Sequence, residues 1–186
     1  MNTVLIVEDE KMIRQGIKSM IQRSGVPVQT IIECSNGQMA LEVLQSQQID
    51  VMFTDIRMPK MDGITLVQEM QKFQRRPLTV VISGYDDFSY AVEMLRMGVK
   101  EYILKPIDRE QIMSIMHKME DELTHIKEEQ DTLRQAGYQQ LRFLCTSEKV
   151  SAEDEELTGR YYQDSFLQGE YEVCSVSYTH HRAHET

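Results

Sequence analysis

The stretch VLIVEDE at Val4–Glu10 decides the fold, because four consecutive apolar residues stop abruptly at three acidic ones. Comparable apolar runs recur four more times, and polar or turn residues follow each of them. The predicted strands are Thr3–Val7, Gln29–Cys34, Val51–Thr54, Leu78–Ile82 and Tyr102–Leu104. Short and nearly continuous apolar runs are typical of strands in a parallel sheet that is buried on both faces.

The segments between these strands have apolar residues at helical spacing, and each set would form one apolar helix face. The sets are Met12, Ile13, Ile17, Met20 and Ile21; Met39, Leu41, Val43 and Leu44; Ile64, Leu66, Val67 and Met70; and Ala91, Val92, Leu95 and Met97. Strands that alternate with helices predict an α/β fold, here a doubly wound five-stranded parallel sheet.

An extended C-terminal helix is predicted over residues 108–135, where no strong breaker occurs, and Gly137 is expected to interrupt it. Its length is about twice what is needed to cover a sheet of this size. For residues 112–119 the apolar stripe fits either a helix packed on its own sheet or a seam between two helices, and beyond Leu123 a seam is favoured. The stripe is Ile112, Met116, Met119, Leu123, Ile126, Gln130 and Leu133.

Composition excludes several classes of protein. Of 186 residues, 41% are hydrophobic and 27% charged, which is ordinary for a globular chain. The net charge is −10, and residues 111–186 hold 15 acidic against 7 basic side chains, so nucleic-acid binding by this chain alone is not expected. No apolar run is long enough for a membrane span or a secretory leader, and we expect a cytoplasmic protein. Cys34, Cys145 and Cys174 are widely spaced and predict reduced thiols.

Chemically reactive side chains follow four of the five predicted strands. Glu8 and Asp9 follow the first, Asp55 the third, Ser83 the fourth and Lys105 the fifth. Ligand sites in doubly wound sheets lie outside the carboxyl ends of the strands, so these side chains should converge. Each alone is ordinary turn, cap or surface chemistry, but the joint occurrence favours a functional site.

Phosphoryl transfer is the chemistry that these residue types favour. Three carboxylates at one rim repel each other, and Mg²⁺ is the hard cation that carboxylate oxygens prefer. Asp55 is either a ligand of that ion or a nucleophile that attacks phosphorus, or both. Lys105 offers positive charge to phosphoryl oxygens, and Ser83 offers a hydrogen bond.

Residues 2–120 resemble the receiver domain of two-component response regulators. The resemblance rests on four motifs: VLIVEDE at Val4–Glu10, DIRMPKMDG at Asp55–Gly63, ISGYDDFSYA at Ile82–Ala91 and EYILKPI at Glu101–Ile107. It implies a flavodoxin-like fold with strand order 2-1-3-4-5 and a cis peptide bond between Lys105 and Pro106.

The resemblance also implies roles for single residues. Asp55 would be the phosphoacceptor, with Glu8, Asp9, Asp55 and the main-chain carbonyl of Arg57 as Mg²⁺ ligands. Lys105 would stand where the family has its lysine, and Ser83 where it has Ser or Thr. Movement of Ser83 toward the phosphoryl group would open space for Tyr102, which could equally be a half-buried sheet residue.

Partners follow from the same resemblance. A sensor histidine kinase would supply the phosphoryl group, and phosphorylation would favour a homodimer through the face from Tyr85 through Met97 to Tyr102. The motifs resemble most closely the AraC/YesN-like transcriptional regulators, in which an output domain binds DNA; that domain is not expected within these 186 residues. Such a regulator is a self-dephosphorylating switch and not a turnover enzyme.

Two alternatives compete with this interpretation. An aspartyl-phosphate phosphohydrolase would carry a second acid two residues after the nucleophile, whereas Arg57 occupies that position. A stand-alone receiver that acts by binding another protein would need no output domain, and the acidic tail is compatible with it.

The predicted domain organisation has four parts. Residues 1–120 would be the receiver domain, 108–145 an extended helix and linker, and 146–175 the start of a truncated middle or output region. Residues 176–186 resemble the translation of a sequencing adapter, so we expect a C-terminally truncated chain. His180, His181 and His184 are therefore not interpreted as a metal site.

Overall fold

The computed structural model describes residues 1–84 and 88–146, with side chains described for 1–84 and 91–139. Its elements in chain order are β1 (Thr3–Val7), α1 (Lys11–Gln22), β2 (Thr30–Cys34), α2 (Gly37–Ser46), β3 (Val51–Asp55), α3 (Gly63–Met70), β4 (Leu78–Ser83), α4 (Phe88–Arg96), β5 (Glu101–Leu104) and α5 (Arg109–Thr146). All five predicted strands are confirmed, and each boundary lies within one residue of its prediction.

The five strands form one parallel sheet in the order β2-β1-β3-β4-β5. Val4 pairs with both Ile31 and Val51, so β1 lies at the centre of the first three strands. The chain first adds β2 on one side of β1 and then crosses back to place β3 on the other side. This order confirms the predicted doubly wound, flavodoxin-like α/β fold, and the carboxyl ends of all strands meet at one edge.

Alternate residues of the buried strands feed two separate hydrophobic cores, one on each face of the sheet. Ile6 and Phe53 belong to the core that α1 and α5 cover, whereas Leu5 and Met52 belong to the core that α2, α3 and α4 cover. All four of these side chains are fully buried. Each contributes about 1.5–3 kcal/mol of transfer free energy, which fixes the strand register because a one-residue slip would exchange the faces.

The long helix α5 differs from its prediction at its end. It continues through Gly137 to Thr146, because one glycine costs a helix only about 1 kcal/mol. Its apolar stripe divides: Ile112, Met116 and Met119 are buried in the core beside α1, and Leu123 packs against that core. The first interpretation of residues 112–119, a helix packed on its own sheet, is therefore correct.

Beyond Leu123 the stripe of α5 is accessible to solvent. Ile126 is 37% exposed and Leu133 is 60% exposed. The residues Met1–Lys127 form one compact unit, and the described part of the remaining chain is the second half of α5. The predicted helix–helix seam over this part stays a prediction.

Several other predictions either differ from the structure or fall outside the residues that it describes. Met12, Met39 and Leu95 were assigned to apolar helix faces by spacing, but all three are exposed. The side chain of Tyr85, the region 147–175 and the adapter-like residues 176–186 lie outside the described residues. Within the part that is described, no helix combines the length and the apolar composition that a membrane crossing requires.

Candidate functional site

The carboxyl edge of the sheet gathers the side chains that the sequence singled out. Glu8 and Asp9 follow β1, Asp55 is the last residue of β3, Ser83 is the last residue of β4, and Lys105 follows β5. Because β1, β3, β4 and β5 are successive neighbours in a parallel sheet, these strand ends lie side by side. The predicted convergence at one rim is therefore present.

Three carboxylates lie together at this rim. One oxygen from each of Glu8, Asp9 and Asp55 lies within 4.8 Å of the others. Glu8 is 1% exposed and Asp55 is 7% exposed, whereas Asp9 is open to solvent. Two such charges 4 Å apart repel by about 4 kcal/mol at an effective dielectric constant near 20, so the arrangement needs a cation to offset it.

Lys105 provides part of that positive charge. Its Nζ donates to Glu8 Oε2 at 2.9 Å and to Asp55 Oδ2 at 3.0 Å, so it joins the ends of β1 and β3 from the far strand β5. Burial alone would lower the pKa of Lys105, but the hydrogen bonds to Glu8 and Asp55 and the charges of these carboxylates together outweigh burial, and the pKa is raised. The side chain is therefore an ammonium at neutral pH. The peptide bond between Lys105 and Pro106 is cis, as the resemblance implied.

The pKa of Glu8 is raised as well, which for a carboxyl group favours the neutral form and not the charged one. Burial raises its pKa, and the hydrogen bond from Lys105 opposes that effect without cancelling it. The charge of Asp55 raises the pKa of Glu8 further. A hard divalent cation would reverse this balance, because it stabilises the ionised form of every carboxylate that it binds. Glu8, Asp9 and Asp55 thus fit a Mg²⁺ site in both ligand type and spacing.

Asp55 is held by its own loop and by the start of α3. Its Oδ1 accepts a hydrogen bond from the Ile56 N–H at 2.8 Å, so Oδ2 is the oxygen that contacts Lys105. The N–H of Gly63 donates to the Ile56 carbonyl at 2.8 Å, and Asp62 caps α3 through the Thr65 N–H. A Cβ at Gly63 would lie 2.1 Å from the Asp55 carbonyl oxygen, so only glycine allows this close approach.

The remaining predicted residues occupy distinct positions around this centre. Ser83 is buried, and its carbonyl accepts the Lys105 N–H at 2.7 Å, which ties the ends of β4 and β5 together. Tyr102 is half-buried on β5 and packs against the core beneath α2, α3 and α4. Arg57 lies on the loop after Asp55 with an exposed side chain. The roles of Ser83, Tyr102 and the Arg57 carbonyl stay predictions.

Sequence reasoning missed Arg14. From the first turn of α1 its Nη1 donates to the main-chain carbonyl of Glu8 at 2.5 Å and, more weakly, to that of Asp9 at 3.4 Å. The side chain of a helical residue extends toward the helix N-terminus, so an arginine three residues into α1 can reach back over the preceding loop. That spacing was the available signal, but a single arginine on a helix usually indicates only a solvated charge.

An apolar groove borders the site on the α1 side. Its volume is about 480 Å³, and Lys105 is one of its lining residues. Its walls are apolar except for that lysine and are formed by Ile13, Gly16, Ile17, Met20, Pro106 and Ile107. Gly16 is in the middle of a helix, and a Cβ added there would meet nothing within 4 Å. The α1 side of the site is thus open, whereas the α3 side, where Gly63 approaches the Asp55 carbonyl, is tightly packed.

The family model for the response regulator receiver domain matches residues 4–117. The chain belongs to this family. YesN of Bacillus subtilis strain 168, described as an uncharacterized transcriptional regulatory protein, is 29% identical over 188 residues, a match that covers 95% of this chain and 51% of YesN. The transcriptional regulatory protein HptR of Staphylococcus aureus strain NCTC 8325 is 33% identical over 116 residues, covering 62% of this chain and 45% of HptR.

Solved structures show the same fold. The receiver domain of AraT, a response regulator of Geobacillus stearothermophilus, is 36% identical, with a TM-score of 0.60 over 67% of this chain and 97% of that one. The response regulatory domain of mrkE from Klebsiella pneumoniae is 28% identical, with a TM-score of 0.62 over 66% and 98%. The chain spans about half the length of the curated relatives it matches. It therefore contains a receiver domain of the kind found in transcriptional regulators.

Proposed function

We propose that this chain is the receiver part of a phosphorylation-activated response regulator, in which Asp55 accepts a phosphoryl group from a sensor histidine kinase. The observation that carries the proposal is the setting of Asp55: a buried carboxylate, contacted by Lys105 and adjacent to Glu8 and Asp9. Family membership supports the same role.

The residues at the carboxyl edge of the sheet can carry out a balanced phosphoryl transfer. An Asp55 oxygen attacks phosphorus, a P–O bond forms, and the P–N bond to the donor histidine breaks with its electron pair leaving on the imidazole nitrogen. Lys105, already at 3.0 Å from Asp55 Oδ2, is placed to pair with a phosphoryl oxygen. Water later attacks phosphorus and restores the carboxylate, so the protein acts as a switch and not as a turnover enzyme.

Mg²⁺ is the cofactor that this site would take. Glu8, Asp9 and Asp55 would hold it, with the main-chain carbonyl of Arg57 as the further ligand that the family resemblance implies. The ion supplies positive charge that offsets the phosphoryl oxygens. This chain's own residues orient the nucleophile through the Ile56 N–H, and they hold Lys105 near it.

The conformational response would pass from Ser83 to Tyr102. Ser83 ends β4 and lies next to Leu104 in the sheet register, while Tyr102 lies opposite Val81. A Ser83 hydroxyl that turns toward the phosphoryl group would leave space that the Tyr102 ring can enter from its half-buried position. The edge formed by α4 and β5 would then differ between the two states.

A protein phosphodonor must bring its histidine to a recessed carboxylate, so it needs a surface beside the site. The groove along α1 is such a surface, because it is mostly apolar, is lined in part by Lys105 and lacks a side chain at Gly16. Apolar concave surfaces of this kind suit a helix face of a partner. We assign this groove to the histidine kinase.

The output is transcription control, as in the relatives YesN and HptR. Phosphorylation would favour a homodimer through the edge of α4 and β5, where Leu95 is 54% exposed and Leu104 is 41% exposed. Contact with DNA would be made only by an output domain outside residues 1–186. A kinase-fed transcriptional regulator of this kind would work in the cytoplasm.

The experiment is phosphorylation of the full chain by acetyl phosphate or phosphoramidate with Mg²⁺. One base-labile, acid-stable phosphoryl group per chain is expected. Asp55→Asn should abolish it, because an amide oxygen is a far weaker nucleophile than a carboxylate. Asp121→Asn makes the same chemical change at an exposed position on α5 and should leave the yield unchanged. Equal labelling of the Asp55→Asn chain would reject the proposal.

A further inference from the structure

The loop that carries Glu8 and Asp9 is held by a hydrogen bond from the Glu10 N–H to Glu8 Oε1 at 3.2 Å and by one from the Glu8 N–H to the Cys34 carbonyl of β2 at 3.1 Å. It connects the end of β1 to Lys11, the first residue of α1, and the preceding Glu10 makes no capping hydrogen bond with its side chain. The two neighbouring acids repel each other and Asp55. These bonds do not involve the carbonyls of Glu8 and Asp9, and a donor to both carbonyls would fix the two peptide units so that the carboxylates stay directed at one ion.

Arg14 contacts this loop through its main-chain carbonyls and not through its carboxylates. Its Nη1 donates to the Glu8 carbonyl at 2.5 Å and to the Asp9 carbonyl at 3.4 Å, while its Nε lies 3.5 Å from Glu33 Oε2 on β2. The side chain is 14% exposed. Glu33 is itself anchored by Lys18 at 2.5 Å and Gln15 at 2.6 Å. Arg14 therefore joins β2, α1 and the acidic loop.

The chemistry of the guanidinium group suits this task. Its donors are spread over three nitrogens of a rigid plane, so Nη1 bonds two carbonyls while Nε faces a carboxylate, whereas the three donors of a lysine share one nitrogen. It bonds the carbonyls of Glu8 and Asp9 and not their side chains, so it leaves the carboxylate oxygens available to a cation. Glu33 also pairs with Arg14, which keeps part of its positive charge away from the site.

We propose that Arg14 is a positioning residue for the metal site: it fixes the peptide units of Glu8 and Asp9 so that their carboxylates converge on a divalent cation. The inference rests on the proposed Mg²⁺ site. It assigns the orienting role to a residue that touches neither the ion nor the phosphoryl group.

The test is a calorimetric Mg²⁺ titration of the full chain and of Arg14→Gln. Partners that orient metal ligands typically contribute about 10-fold to 100-fold in affinity, and we expect the lower end, about 10-fold weaker binding, because the contact is made to main chain. In acetyl phosphate reactions the Mg²⁺ concentration for half-maximal rate should rise by about the same factor, with the rate at saturating Mg²⁺ within about 2-fold of wild type.

Lys18→Gln is the matched control, because it removes another cation from Glu33 and no bond to the acidic loop. Its Mg²⁺ affinity should stay within about 2-fold of wild type. Arg14→Lys should bind Mg²⁺ with intermediate affinity, since an ammonium can reach a carbonyl but cannot bond Glu33 at the same time; this variant also decides the matter if Arg14→Gln does not fold.

The outcomes are distinct. Wild-type protein that fails to bind Mg²⁺ would reject the proposed metal site. Wild-type binding together with unchanged affinity in both Arg14 variants would overturn the positioning role. A lower unfolding midpoint of metal-free Arg14→Gln with unchanged Mg²⁺ affinity would show that Arg14 is only structural, and this too would overturn the inference.

Discussion

Gly63 and Gly16 lie on two helices that begin at the same rim, and their surroundings are opposite. A Cβ at Gly63 would lie 2.1 Å from the carbonyl oxygen of Asp55, whereas a Cβ at Gly16 would meet nothing within 4 Å. The first glycine is required by a close approach of backbones. No packing contact requires the glycine at position 16, although it destabilises α1 by about 1 kcal/mol relative to alanine. The α3 side of the site is closed, and the α1 side is open.

The two glycines therefore have different roles. On the closed side, glycine lets α3 approach closely enough to fix the loop that carries Asp55. On the open side, it leaves an apolar groove of about 480 Å³ that Lys105 also lines. A stability penalty at an uncrowded position is what we expect where a partner and not the fold determines the residue. The same substitutions at the two positions should therefore give opposite results.

Gly63→Ala should have the largest effect on the fold. The added methyl group cannot fit beside the Asp55 carbonyl, and since both contacts are main chain, α3 or the loop must move. We expect a loss of about 3 kcal/mol in the free energy of unfolding, the upper part of the range for overpacking. Urea denaturation followed by circular dichroism measures it. An unchanged urea midpoint of unfolding would mean that α3 and the Asp55 loop do not pack this closely in solution.

Gly16→Met should act on partner binding and not on chemistry. The side chain would fill part of the groove, so phosphotransfer from the histidine kinase should fall by about 10-fold, as for a central interface position. Phosphorylation by acetyl phosphate should stay within about 2-fold of wild type, because the carboxylate site is untouched. Equal losses with both donors, or none with the kinase, would contradict the assignment of the groove.

Gly16→Ala should have the smallest effect and the opposite sign to Gly63→Ala. Alanine removes the conformational freedom of glycine from the unfolded chain and meets no atom in the folded one, so the free energy of unfolding should rise by about 0.5–1 kcal/mol. The same denaturation experiment detects it as a higher midpoint. Destabilisation would show that the groove is already filled or that α1 is strained there.

Much of this fold could be predicted because its strands are short apolar runs with clear ends. Val51–Thr54 and Leu78–Ile82 were each extended by one residue in the structure, to Asp55 and Ser83. Both added residues belong to the site. The end of α5 could not be predicted in the same way, because Gly137 is a weak breaker whose cost the neighbouring helix formers offset.

The convergence of the candidate site was predictable for a topological reason. Parallel strands end at one edge, so Glu8, Asp55 and Lys105 had to lie near each other once the strands were located. The role of Arg14 could not be identified from its spacing alone, because it depends on Glu33 of β2 and on two main-chain carbonyls, and an arginine at this spacing is usually a solvated charge. Likewise the groove exists only because α1 and the segment after β5 meet.

The hydrogen bonds from Lys105 to both Glu8 and Asp55 affect how phosphorylation would change the charge distribution at the carboxyl edge of the sheet. Three carboxylates and one ammonium leave a formal charge of −2, which a divalent ion cancels. Phosphorylation of Asp55 would remove the charge of its carboxylate and introduce roughly two negative charges on the phosphoryl oxygens, so the total would change by only about one unit. What changes most is location: the negative charge moves outward from the sheet edge, and Lys105 is free to follow it. Phosphorylation would thus change the position of the negative charge in the domain more than its total amount.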